Sequence, residues 1–190
     1  MNNPYGKKNV FNLPNLLTLM RIFLTPLLVI FLIDGKYTHA LMVFAAAGIT
    51  DGLDGAIARW LHQKTRLGAI LDPIADKTLL SSAYVTLAIT QKIPSWIAVV
   101  VISRDLIIVS GVLILFLTVG DIEIRPTLVG KTTTFFQLIT ALTVLAEAVF
   151  GDFGIALDTL YIVTAGFTVI SGLQYVAQGF RLWSQMEQDI

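Results

Sequence analysis

Long apolar stretches separated by short polar breaks run through the chain from Leu13 onward. Six are long enough to be helices that cross a bilayer: Leu13 to Ile33, Tyr37 to Trp60, Pro73 to Gln91, Pro94 to Val119, Val129 to Phe150 and Ile155 to Trp183. A spanning helix needs roughly 20 apolar residues. Pro73 and Pro94 sit where a first-turn proline is tolerated. No useful stretch alternates with the period of a strand. The pattern therefore predicts an all-α membrane protein with six transmembrane helices, a form that satisfies its backbone in lipid without a sheet edge. Residues 1–12 form a polar N-terminal arm at the membrane surface, residues 13–183 the helical domain, and residues 184–190 a short tail. The first apolar stretch is too long for the core of a cleaved signal, and Asp34, Gly35 and Lys36 follow it rather than a small-residue cleavage pattern.

Composition strengthens this reading. Of the 190 residues, 55% are hydrophobic and only 14% charged, too few to cover a soluble domain of one-domain size. The formal net charge is zero, so no basic field suggests nucleic acid. The absence of cysteine excludes disulfides, iron–sulfur clusters and thiolate zinc sites.

Loop charge sets the orientation. Lys7 and Lys8, then Arg59, His62, Lys64 and Arg66, then Arg125 and Lys131, then Arg181 all fall on one side of a six-span topology. The opposite loops carry Asp34, Lys36, Lys92, Asp152 and Asp158. The positive-inside rule makes both termini and the basic connections cytoplasmic.

Four aspartates interrupt the apolar pattern. Asp51 and Asp54 are three apart in the second span; Asp72 and Asp76 are four apart at the start of the third. Each pair shares a helical face. Antiparallel neighbouring helices would bring both pairs together at the cytoplasmic end. Ionisable groups at membrane depth are costly and mark a pathway or a site. Four carboxylates together must take up protons or draw in cations, and hard oxygen donors favour Mg²⁺, Mn²⁺ or Ca²⁺. Gly48, Gly52, Gly55, Ala56, Ala58, Gly68, Ala69 and Ala75 lie among the acids and permit close helix approach. Arg59 and Lys77 add positive charge. Acids for metal, metal for phosphate and cations for the remainder is the logic of phosphoryl transfer.

A lone membrane aspartate would more simply be a helix–helix hydrogen bond or a proton relay. Four at two helical spacings point instead to a site. Arg21 fits either a side chain reaching to the interface or a site residue. Arg104 fits a site role better than an internal pair with Asp105, because adjacent helical residues face different ways. His39 and His62 read as interfacial or loop residues, and Trp60, Trp96 and Trp183 as interface anchors. An ion-coupled transporter is the alternative from another class, but it predicts acids spread near the midplane and an inverted repeat.

The stretch from Asp51-Gly-Leu-Asp54-Gly55 through Ala58-Arg59, then Gly68-Ala-Ile-Leu-Asp72-Pro-Ile-Ala-Asp76, resembles the signature of the CDP-alcohol phosphatidyltransferase family. All eight signature positions are filled at their spacing. The resemblance implies a six-helix membrane core, a homodimer, and transfer of a phosphatidyl group from CDP-diacylglycerol to an alcohol with release of CMP. It implies that Asp51, Asp54 and Asp72 hold a divalent metal pair, Mg²⁺ or Mn²⁺. Asp76 would be a further ligand and the general base. It implies contacts of Asp51, Gly55, Ala58, Arg59 and Gly68 with the cytidine diphosphate part of the donor. The setting it suggests is a bacterial inner membrane, with the site on the cytoplasmic side.

Two branches of that family share the opening Asn12-Leu-Pro-Asn15-Leu-Leu-Thr18-Leu-Met-Arg21: phosphatidylglycerophosphate synthases and cardiolipin synthases. The first are expected to carry an Arg-Glu and, eight residues after the Arg, a second Arg. Here Arg104 is followed by Asp105, and the eighth residue on is Val112. Ile102-Ser103-Arg104-Asp105 and Arg125-Pro126-Thr127, followed by Gly130, Lys131, Thr134 and Gln137, look more like the cardiolipin synthase branch. Glycerol 3-phosphate carries about two negative charges and should favour extra cations. The sequence thus leans to phosphatidylglycerol as the lipid acceptor, with glycerol 3-phosphate as the phosphorylated-alcohol alternative. Arg21, Arg104, Arg125 and Lys131 are the candidate acceptor contacts.

Overall fold

The computed structural model describes the backbone of residues 13–60, 66–119 and 127–186 and the side chains of residues 16, 18–50, 75–111, 113–114 and 127–181. The described residues form six α-helices and no strand: α1 (Leu13–Ile33), α2 (Tyr37–Trp60), α3 (Arg66–Ile89), α4 (Ser95–Val119), α5 (Leu128–Phe150) and α6 (Ile155–Met186). The expected arm, the residues after Met186 and Arg125 lie outside the described residues.

Five of the six helices fall close to the bounds the apolar pattern predicts. The exception is α3, which begins at Arg66 and takes Pro73 into its interior rather than starting there. The apolar positions Leu67, Ile70, Leu71 and Ile74 carry a helical pattern across the proline. Pro73 removes one N–H donor, a loss that helices of a packed bundle tolerate when neighbouring groups take over.

The turns show why the short breaks end helices. After α1, Gly35 has φ +70°. Its N–H donates to Leu32 O at 3.2 Å, and the N–H of Lys36 donates to Phe31 O at 2.8 Å. After α3, Gln91 has φ +57°. Its N–H donates to Ala88 O at 3.1 Å, and the N–H of Lys92 donates to Leu87 O at 2.8 Å. Both are left-handed caps that satisfy the last helical carbonyls, one built on glycine and one on glutamine.

Two compact units divide the chain at Lys92/Ile93, with Val144–Asp152 returning to the first. In the first unit α1 packs along both α2 and α3. In the second, α6 packs along α4 and is hydrogen-bonded to α5. On each helix a row of buried positions steps by three or four residues. In the first unit they are Thr18, Arg21, Thr25, Leu28 and Leu32 on α1, Ala40, Phe44 and Ala47 on α2, and Ala75, Leu79, Ala83 and Leu87 on α3. In the second unit they are Ile97, Val101 and Arg104 on α4, Thr133, Gln137 and Thr140 on α5, and Leu157, Tyr161, Thr164, Thr168 and Ser171 on α6. This is the seam spacing of supercoiled helices.

Polar side chains lie among apolar ones in that seam, and large apolar side chains face outward. Threonines, Gln137 and two arginines are buried, while Phe23, Val99, Leu106, Phe135, Ile162 and Phe180 are exposed. α5 and, within α6, Ile155–Arg181 are long and apolar enough to cross a bilayer. Thr18–Ile33 and Tyr37–Thr50 are shorter apolar segments. Trp96, expected at an interface, is exposed at the start of α4.

Candidate active site

Asp76 is the member of the aspartate quartet whose side chain is described. The eleventh residue of α3, it follows the fully buried Ala75, and its side chain is 42% exposed. Arg21, on the seam face of α1, is 1% exposed and forms an ion pair with it, Nη1 donating to Oδ1 across 55 residues of sequence. Arg21 therefore does not extend to an interface. Thr25 Oγ1 donates to the carbonyl of Arg21 at 3.0 Å and fills the seam one turn on. Neither residue predicts the other by local spacing. The available signal was the polar positions Thr18, Arg21 and Thr25 at steps of three and four in an apolar run.

α2 carries Asp51, Asp54, Gly55, Ala58 and Arg59, and α3 carries Gly68 and Asp72. The side chains at these positions lie outside the described residues. Among the described residues no group of three or more acid, histidine or cysteine side chains gathers. The chemistry of the donor set still suits a hard divalent cation: the motif offers only carboxylates, and the described one is partly open.

The second unit also holds a buried arginine, Arg104. Arg104 Nη1 donates to Asp105 Oδ1 at 2.8 Å, although the two are adjacent on α4. Nε and Nη2 both donate to Ser171 Oγ on α6, at 3.3 and 2.8 Å. The guanidinium carbon lies 5.7 Å from the centre of the Tyr175 ring, one turn beyond Ser171. Gly172 lets α6 approach: a Cβ there would lie 3.6 Å from Arg104 Cγ. The internal pair that the sequence ranked second for Arg104 is thus formed, because its long side chain folds back while Ser171 holds its other edge. Both residues are buried.

The start of α5 closes on the same cluster. Thr127 Oγ1 accepts the N–H of Gly130 at 2.9 Å, an N-cap. A Cβ at Gly130 would lie 3.1 Å from both Thr127 Oγ1 and Tyr175 Oη, and 3.4 Å from Arg104 Nη2. Glycine is needed there for close approach, not for a special φ. Lys131, the other acceptor candidate described, is exposed. Sequence reasoning passed over Ser171 and Tyr175. Their signal was weak: Ser171-Gly172, a small polar pair inside an apolar run, and an aromatic hydroxyl four residues after Ser171.

The profile of a family described as CDP-alcohol phosphatidyltransferase matches residues 11–175. The cardiolipin synthase (CMP-forming) of Rattus norvegicus is 36% identical to this chain; the match covers 90% of the chain and 63% of that relative. A probable phosphatidylglycerophosphate synthase of Mycobacterium tuberculosis is 35% identical, with 93% of the chain and 85% of the relative covered. A CDP-diacylglycerol–glycerol-3-phosphate 3-phosphatidyltransferase of Aquifex aeolicus is 33% identical, with 90% and 97% covered.

Proposed function

The chain belongs to the CDP-alcohol phosphatidyltransferase family, and on that premise we propose that it transfers a phosphatidyl group from CDP-diacylglycerol to an alcohol, releasing CMP. The observation that carries this reading is the filled series Asp51, Asp54, Gly55, Ala58, Arg59, Gly68, Asp72 and Asp76 within a match spanning residues 11–175.

Asp76 takes the proton of the acceptor hydroxyl. The acceptor oxygen then bonds to the phosphorus attached to diacylglycerol, and the bond from that phosphorus to the CMP oxygen breaks, CMP leaving with the electron pair. Asp51, Asp54, Asp72 and Asp76 would hold a divalent metal pair, Mg²⁺ or Mn²⁺, which supplies positive charge at the entering and leaving oxygens. Gly55, Ala58 and Gly68 leave room for the cytidine diphosphate, and Asp51 and Arg59 contact it. The six helices span the bilayer, with both termini and the site on the cytoplasmic side. Residues 13–183 form the catalytic domain, which works as a homodimer in a bacterial inner membrane. Exposed apolar residues on α1, α4, α5 and α6 support immersion in lipid.

We favour phosphatidylglycerol as acceptor, giving cardiolipin. In addition to Val112 at the place of a second arginine, the positive charge of Arg104 is already balanced by Asp105 within a buried cluster. Such a cluster supplies less net charge to a dianionic acceptor. Glycerol 3-phosphate is the second reading, favoured by the near-complete coverage of the Aquifex relative and by exposed Lys131. Purified protein given CDP-diacylglycerol and Mg²⁺ or Mn²⁺ should release CMP with phosphatidylglycerol and form cardiolipin. Release with glycerol 3-phosphate alone overturns the acceptor choice. No release with either of these or with inositol phosphate, from folded protein, overturns the reaction.

A further inference from the structure

The pair between α1 and α3 joins a closed group to an open one. Arg21 is 1% exposed, whereas the Asp76 side chain is 42% exposed. A buried guanidinium requires a partner, because desolvation of an uncompensated charge is expensive. Its own mobility is small: it sits in the α1 seam between Thr18 and Thr25, with Leu28 and Leu32 continuing the same face. Asp76 is less enclosed, and ordering a partly exposed side chain costs rotamer freedom. The rigid member of the pair can therefore fix the reactive one. Because the guanidinium is enclosed, it presents little surface to an acceptor phosphate.

We propose that Arg21 is a positioning residue for Asp76, acting from α1 on the base carried by α3, and is not an acceptor contact. This rests on the reading of Asp76 as the general base. Misplacement of a catalytic group by about 1 Å can reduce turnover on the order of 100-fold.

The test is kinetic. Arg21→Gln should lower kcat by about 100-fold while CDP-diacylglycerol affinity and the acceptor KM stay within about twofold. Arg21→Lys, which retains the charge but loses the planar fork, should recover about tenfold of that loss. In an Asp76→Asn background, Arg21→Gln should reduce residual turnover no further, since it acts through Asp76. A rise of tenfold or more in acceptor KM at unchanged kcat would assign Arg21 to the acceptor and overturn the proposal. So would multiplicative losses in the double variant. Unfolding midpoints in detergent for the same four proteins read the pair without turnover, and additive shifts would refute the pairing. Failure of the unaltered protein to release CMP overturns the functional reading instead, and the unfolding cycle still decides whether the pair forms.

Discussion

In the first unit the buried Arg21 reaches to another helix; in the second, Arg104 turns back to its own neighbour in sequence. Arg21 meets a carboxylate 55 residues away that is partly open. Arg104 meets the adjacent Asp105, with Ser171 and Tyr175 closing the remaining sides. The surrounding seams differ in the same direction. Beyond Thr25, α1 buries Leu28 and Leu32, and its partners bury Ala40, Phe44, Ala83 and Leu87. Between α5 and α6, hydroxyls and an amide interlock: Thr133 Oγ1 donates to Phe167 O at 3.0 Å, Gln137 Nε2 to Thr168 Oγ1 at 3.2 Å, and Thr140 and Thr164 share a 2.7 Å bond. In the apolar seam the Arg21 ion pair depends on a carboxylate that ligands can reach. A polar seam closes on itself. The difference lies in the partner: the buried guanidinium of the first pair meets a carboxylate open to solvent, which suits the aiming of a group as proposed above, and that of the second meets a buried one, which suits the locking of helices.

The largest effect belongs to the open pair. Asp76→Asn keeps the shape of the side chain but removes the proposed base, and on that proposal should lower CMP release by about 10³-fold, within the range of positioned general bases. Donor binding, measured by titration with CDP-diacylglycerol, should remain. Normal turnover of this variant would place the base elsewhere. Next comes the closed pair. Arg104→Met leaves Asp105 buried without its guanidinium, and should destabilise the protein by about 3 kcal/mol. Thermal unfolding in detergent measures this. Replacing both, as Arg104→Met with Asp105→Leu, should restore most of the loss. If the single change alters acceptor KM and leaves stability untouched, Arg104 belongs with the acceptor instead.

The sequence made the two uses legible to different degrees. Helix number and most boundaries follow from apolar length and from turn residues such as Gly35, which local chain physics decides. The start of α3 does not, because Pro73 reads as a helix beginning while Leu67, Ile70 and Leu71 carry the pattern through it. The aspartates were conspicuous because each charged residue stands out in an apolar run. Their partners were not. Arg21 and Asp76 are brought together by packing of α1 on α3, information that no local window contains. Arg104 and Asp105 were weighed by where their Cβ atoms point, and that rule fails for a side chain long enough to fold back. Ser171 and the α5–α6 threonines read as ordinary span residues because a hydroxyl is only slightly polar on a hydropathy scale.

A smaller effect probes how tightly the second cluster closes. Gly130→Ala introduces a Cβ 3.1 Å from Tyr175 Oη and from Thr127 Oγ1. The phenol is rigid and Thr127 is a cap, so neither yields freely. We expect a loss of about 1 kcal/mol, typical of mild overpacking. Adding Tyr175→Phe removes one of the crowded atoms and should at least halve the loss, read again by unfolding. No loss for Gly130→Ala would mean the start of α5 has slack against Arg104 and Tyr175, and the cluster is looser than the distances imply.

The smallest expected effect lies in the hydroxyl ladder. Thr140 Oγ1 and Thr164 Oγ1 are 2.7 Å apart, and Thr140 Oγ1 also lies 2.8 Å from the Phe136 carbonyl. Each hydroxyl has one proton. Thr140 donating to Phe136 O and accepting from Thr164 uses both protons. Thr140→Val removes the acceptor for Thr164, whose own distance to Phe136 O is a stretched 3.5 Å. One hydroxyl is then poorly satisfied within a buried seam, and the loss should be about 0.6 kcal/mol, the scale of hydrogen bonds between membrane helices. Thr140→Val with Thr164→Val leaves no orphaned hydroxyl and adds methyl packing, so the double variant should lose less than the sum of the singles. Additive losses would show that the two hydroxyls do not act as a pair. The bonds described between α5 and α6 would then be those of Thr133 to Phe167 O and Gln137 to Thr168, beside the Arg104, Asp105 and Ser171 cluster that joins α4 to α6.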